Sequence, residues 1–309
     1  MQNSKTFERG FHNLPEIRDS IHYLFSQLGP HNLHLTKSDF PAPSSGDTLQ
    51  GDREIAVQGV AKSIATYLGL SVRTITVTPV DSLPMPGRVQ LHHGEDFFIE
   101  LQPIYLHNLR RLVAVLGHEL THILLHKSNL QFEPNDKNEI LTDTAAVYFG
   151  LGLPMLHCFQ EDRTWSPFGS SFVSRSSLGY LTPDEVAYLL ARRSLHYNID
   201  YSKLLLSYKA NDAYEEGMKV ALAERRRPPF SGSGFVRRFI YARKRGRATR
   251  VKPAPKSVSS LDSYKFEVQK ELQLVFKCRV CFQQLRVPAY RRLIKVKCPT
   301  CLSIHRCET

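Results

Sequence analysis

Two histidines four residues apart with a glutamate between them, His118-Glu119-Leu120-Thr121-His122, open the possibility of metal-assisted hydrolysis. On a 3.6-residue helix both imidazoles leave the same face and can each offer one nitrogen to a single metal ion. Glu119 then lies beside the first ligand, where its carboxylate can take a proton from a water on the metal and so generate a nucleophile near neutral pH. Val115, Leu116, Leu120, Thr121, Ile123 and Leu124 flank these residues and carry no charge. An ordinary amphipathic helix can show the same spacing, so the case rests on a third ligand.

A catalytic zinc keeps three protein ligands and an open position. The arrangement with a glycine and a third histidine further along the helix is excluded, because those positions hold Leu125 and Ser128. Downstream of His122 comes Asn138-Glu139-Ile140-Leu141-Thr142-Asp143, at the start of an expected second helix reaching Gly150. With this segment the chain resembles the gluzincin, thermolysin-like metallopeptidases. The resemblance covers residues 115–150 and implies Glu139 as third zinc ligand, with Asp143 orienting His118. Asp143 stands as the alternative ligand. His157, Tyr180 and His196 are candidates for stabilising an oxyanion.

A second constellation lies near the C-terminus. Cys278-x-x-Cys281 and Cys298-x-x-Cys301 have the spacing of a four-thiolate structural zinc site, with short alternating strands between them. This unit looks like a zinc ribbon, although Phe282 and Leu302 replace the usual glycine after each knuckle. His305 and Cys307 are spectators or substitute ligands. Two zinc ions are therefore expected, one catalytic and one structural.

The elements that must position these groups are only partly readable. Residues 1–50 are poorly determined, with a possible helix from Leu14 to Leu28. Apolar periodicity predicts a helix from Arg53 to Leu68, and alternation predicts a strand from Val72 to Thr78. Segments 87–91 and 96–101 read as a hairpin about His92-His93-Gly94, with 96–101 placed to act as the edge strand that an extended substrate would join. Pro103 suits the first turn of the metal-binding helix. Residues 161–179 read as a long loop containing Trp165. Thr182-Pro183-Asp184-Glu185 is a capping box that starts a helix to about His196, and another helix is expected over 201–224.

Charge divides the chain. Of a net +12, residues 225–256 contribute twelve Lys and Arg and no acid, whereas 257–309 carry ten basic and four acidic residues. Segment 225–261, with its Pro, Gly and Arg content, reads as a flexible basic linker. Phe230, Phe235, Phe239 and Tyr241 lie among its arginines, a mixture able to stack on bases while neutralising phosphate.

The expected architecture is α+β: a zincin-like metallopeptidase domain over 51–224, the linker, and a zinc ribbon over 262–309. The expected function is zinc-dependent hydrolysis of a protein or peptide substrate, with weak nucleic-acid contact through 225–309. Two other readings stay open. One is a DNA-associated protease similar to the SprT-like group, which also pairs this helix motif with a zinc ribbon. The other is a nucleic-acid- or protein-binding module with an inactive or structural histidine site. No apolar run is long enough for a membrane span and the N-terminus has no apolar signal region, so a cytoplasmic location is expected.

Overall fold

The computed structural model describes residues 9–34, 38–44, 46–165, 171–176, 179–205, 207–249, 264–268, 271–290 and 292–309. It is a mixed α and β structure in two compact units, one formed by Met1–Ser20 with Asn32–Met218 and the other by Ile21–His31 with Lys219–Thr309. Residues 1–50, undetermined from sequence, thus divide between the units, through a helix α1 (Leu14–His34) broken at Gly29.

In the first unit α2 (Arg53–Tyr67) starts on Asp52, whose carboxylate accepts the Glu54 and Ile55 N–H groups, and buries Val57, Ala61, Ile64 and Ala65. It leads to β1 (Thr74–Pro79), β2 (Gly87–Val89) and β3 (Asp96–Leu101), which form a sheet in the order β1-β3-β2. The hairpin is present: β2 runs antiparallel to β3 with Val89 opposite Ile99. The edge assignment is not. β3 is the middle strand, paired in parallel with β1 along its whole length and with β2 over Ile99–Leu101, so it is not an edge of the sheet. β2 occupies one edge instead.

After β3 comes α3 (Leu109–Lys127), which carries His118 and His122. Leu112, Leu116, Leu120 and Ile123 are fully buried along it, a stripe that anchors one face and leaves the histidine face to the site. Its start differs from the sequence expectation. Pro103 opens a separate short 3-10 turn (Pro103–His107), and Asn108 caps α3 by accepting the Arg111 N–H at 3.0 Å. A side-chain acceptor for an orphan helix donor outweighs the proline signal upstream.

α4 (Asn135–Ala146) carries Glu139 and Asp143 and passes through a π-helical turn (Val147–Leu151) into α5 (Gly152–His157). Segment 161–179, expected as a loop, holds an antiparallel hairpin of β4 (Gln160–Trp165) and β5 (Ser171–Ser176), with residues 166–170 and 177–178 outside the described residues. α6 (Pro183–Tyr197) begins at the expected capping box, both of whose hydrogen bonds are formed. α7 (Tyr208–Arg225) follows a short 3-10 turn.

The second unit corrects the flexible-linker reading for much of 225–261. Phe235–Ala248 form α8, and residues 229–231 line up beside the C-terminal strand, with Phe230 bridged to Cys307 and Ser231 N donating to Arg306 O at 2.8 Å. Phe230 is buried against Phe276 and His305, and Tyr241 is buried against Tyr264 with its hydroxyl on Glu308 O at 2.6 Å. Neither ring is available for stacking on bases, while Phe235 and Phe239 are exposed. Two anchoring aromatics on a folded partner suffice to order a segment that has too little apolar surface to fold alone. Residues 250–261 of the linker, and 262–263 of the ribbon, lie outside the described residues. The rest of the unit is a small β region: β6 (Tyr264–Val268), β7 (Leu272–Lys277) and β8 (Gln284–Pro288) make one antiparallel sheet, and β9 (Leu293–Lys297) pairs with β10 (Ile304–Glu308). Among the described residues no helix is long and apolar enough to cross a membrane.

Candidate metal centres

Helices α3 and α4 bring His118, His122 and Glu139 together as a group that could hold a metal ion. His118 Nε2 and His122 Nε2 are 3.0 Å apart, and Glu139 Oε2 lies 3.2 Å from each. Ligand bonds of about 2.0–2.1 Å in a tetrahedron place neighbouring donor atoms roughly 3.3 Å apart, close to these edges.

The proton inventory argues for a cation at the centre. His118 Nδ1 lies 2.8 Å from Asp143 Oδ1, so that nitrogen carries the proton. Thr142 Oγ1 gives its single proton to Asn138 O at 2.9 Å and can therefore only accept from His122 Nδ1, 3.2 Å away. With both Nδ1 atoms protonated, two neutral imidazoles and a carboxylate oxygen turn lone pairs toward one point. Such a triangle is repulsive unless a positive charge fills it. Where no ion is bound a proton serves instead: burial opposes charge on His118, yet Asp143 and Glu139 override it and raise its pKa well above the usual range. Burial would raise Glu139, but the two histidines bring it down to about 2.

Glu119 stands beside this group without belonging to it. It is buried, at 5% exposure, and the backbone N–H of Val89 on β2 donates to its carboxylate. Burial pushes its pKa up, against the pull of His118 and His122 and with a further push from Glu139. A carboxylate made a better proton acceptor than a solvated one suits a general base. Gly87 makes room for it: a Cβ there would stand 2.8 Å from Val115 Cγ1 and 3.0 Å from Glu119 Oε1.

Asp143 is fully buried and is held from both sides. Besides His118, it accepts the backbone N–H groups of Tyr180 at 2.6 Å and Leu181 at 3.1 Å through Oδ2. Gly179, at φ +109°, allows this approach, since a Cβ would come within 2.7 Å of Oδ2. The turn is fixed in its own right: Thr182 Oγ1 donates to Gly10 O at 2.6 Å, Gly10 N donates to Asp184 at 2.6 Å, and Asn13 Nδ2 donates to Glu185 at 3.1 Å. Sequence reasoning missed Thr142, Gly87, Gly179 and this N-terminal brace. Only Thr142, four residues after Asn138 and one before Asp143, had a readable signal, as a hydroxyl able to bond back along its helix.

Of the oxyanion candidates, Tyr180 is tied to the group, its hydroxyl raised by burial and then by the charges of Glu139, Asp143 and Glu119. His157 is buried on α5, where burial and Arg110 lower its pKa to about 4, and His196 packs on Tyr197 at the end of α6. Neither is a ligand of the group.

The second centre lies in the second unit. Cys278, Cys281, Cys298 and Cys301 are all buried and converge, with Cys278 Sγ 3.6 Å from Cys301 Sγ and Cys281 Sγ 3.5 Å from Cys298 Sγ. Thiolates around an ion at about 2.3 Å would stand roughly 3.8 Å apart. The two knuckles are copies of each other: Phe282 N donates to Cys278 O and Leu302 N to Cys298 O, both at 3.0 Å, with φ of +58° and +60° at Phe282 and Leu302. The missing glycines thus leave the left-handed turns in place. His305 Nε2 lies 3.0 Å from Cys278 Sγ, beside the cluster, and Cys307 is buried nearby on β10 outside the four-sulfur group. No family model matches the chain, and no curated protein or solved structure is similar to it.

Proposed function

We propose that this protein is a zinc metallopeptidase with a zincin-like catalytic domain and a structural zinc in a C-terminal ribbon. The observation that carries the proposal is Glu119: a buried carboxylate with a raised pKa, held by Val89 N–H beside a three-ligand group that it does not join. His118, His122 and Glu139 would hold the catalytic ion, which when bound supplies Lewis acidity and lowers the pKa of water. Glu119 accepts a proton from the attacking water and can return it to the leaving amine. Asp143 and Thr142 keep the imidazoles in the tautomer that points Nε2 inward. The four cysteines would supply all the ligands of a tetrahedral ion, which would leave no open position for chemistry.

Glu119→Gln preserves shape and removes the base. Casein and mixed peptide libraries should be cleaved by the wild type, while the variant keeps two equivalents of zinc and loses cleavage. Equal cleavage by both proteins rejects Glu119 as the base. A wild-type zinc content of one equivalent rejects the two-centre reading.

A further inference from the structure

We infer that the outward face of the β9–β10 pair is a nucleic-acid contact surface, in which Lys295, Lys297 and Arg306 meet the phosphate backbone. The inference does not depend on the peptidase reading. The register places Lys295 directly opposite Arg306, with Lys297 opposite Ile304 and Leu293 opposite Glu308. These side chains alternate with the buried Val296, His305 and Cys307, so they share the solvent face.

Like charges directly opposite each other on one sheet face are destabilising. Among the described residues no carboxylate pairs with Lys295, Lys297 or Arg306, and the acid at the end of this face, Glu308, is taken by Arg238 of α8 at 2.7 Å. Among the described residues the pair thus holds three cations without an acidic partner, next to the four-cysteine cluster. Lys295 and Lys297 are two apart on β9 and so about 7 Å apart, with Arg306 across the ladder from Lys295. Leu293 and Ile304, 63% and 61% exposed, flank the cations. Apolar side chains there can lie against sugars or base faces. A polyphosphate chain fits this pattern better than a compact anion, and a two-stranded ribbon is narrow enough to enter a major groove. In sequence the same part of the chain is basic, since 225–256 hold twelve cations and no acid.

The test uses the full chain with fluorescent oligonucleotides, single-stranded and duplex, titrated with salt. Wild-type protein should bind at low salt, with affinity falling linearly on a log-log plot. Lys295→Thr/Arg306→Thr should bind more weakly and reduce the slope by about 1.8 on duplex or about 1.4 on a single strand. It should keep its metal and melt no lower than wild type, because a repulsive pair has been removed. Should that variant lose metal, Lys297→Gln, away from the repulsive pair, should still reduce the slope by about 0.9 or 0.7. Absence of wild-type binding at low salt, an unchanged slope in both variants, or preference for phosphatidylserine vesicles or polyglutamate over oligonucleotide would each overturn the inference.

Discussion

Thr142 accepts a hydrogen bond from His122 Nδ1 because its own proton is committed to Asn138 O, which leaves His122 Nε2 as a bare donor atom aimed at Glu139 and His118. Thr142→Val keeps the side-chain volume and removes the acceptor. Metal affinity at the first centre should fall by about 10- to 100-fold, the range for groups that orient a ligand. Thr142→Ser should restore it. Competition with a chromophoric chelator measures both, and wild-type affinity in the valine variant would show that the hydroxyl does not orient the ring.

Gly179→Ala acts on the other histidine through Asp143. An L side chain at φ +109° costs about 1–3 kcal/mol, and its Cβ would crowd Asp143 Oδ2 at 2.7 Å. The carboxylate must then give up part of its hold on Tyr180 N or on His118. A lower melting temperature together with weaker metal binding is expected. A drop in melting temperature with unchanged metal affinity would limit Gly179 to a backbone role.

The parts of this arrangement that were legible in the sequence are those fixed by short covalent spacing. His118 and His122 share a helix face by arithmetic, and Cys-x-x-Cys defines a knuckle whatever surrounds it. Glu139 and Asp143 needed the family resemblance, since carboxylates near a helix start are common for other reasons. What stayed hidden depended on contacts distant in sequence. The parallel pairing that makes β3 central joins it to β1 across the whole of β2. The order in 225–249 comes from Phe230 on Cys307 and Tyr241 on Glu308, partners that no local composition reveals. The brace from Gly10 and Asn13 onto the start of α6 spans more than 170 residues.

His157 gives a stability signature in mild acid. Burial and Arg110 depress its folded pKa to about 4, below an ordinary value of about 6.5. The unfolded chain therefore takes up a proton that the folded one refuses. Its stabilising effect is fully present above pH 6.5 and is lost progressively as pH falls toward 4. His157→Gln has no such proton, so its unfolding free energy should decline less steeply over that window, as urea titrations at stepped pH would show. Parallel curves for the two proteins would remove His157 from the acid response.

Glu139 and Asp143 are separated by one helical turn, and their geometry assigns them different duties. Glu139 Oε2 faces both Nε2 atoms at 3.2 Å, whereas Asp143 faces the opposite nitrogen of His118 and two backbone N–H groups. Glu139→Ala removes a direct bond and should abolish metal retention at the first centre while the cysteine centre keeps its ion. Asp143→Asn can still accept from His118 Nδ1 if its oxygen faces the ring, but its amide must then meet the N–H groups of Tyr180 and Leu181, donor against donor. That conflict should weaken affinity by about 10- to 100-fold and lower stability by about 1–3 kcal/mol. Metal counting after dialysis against a weak chelator ranks the two. The reverse order, with Asp143→Asn empty and Glu139→Ala loaded, would transfer the ligand role to Asp143.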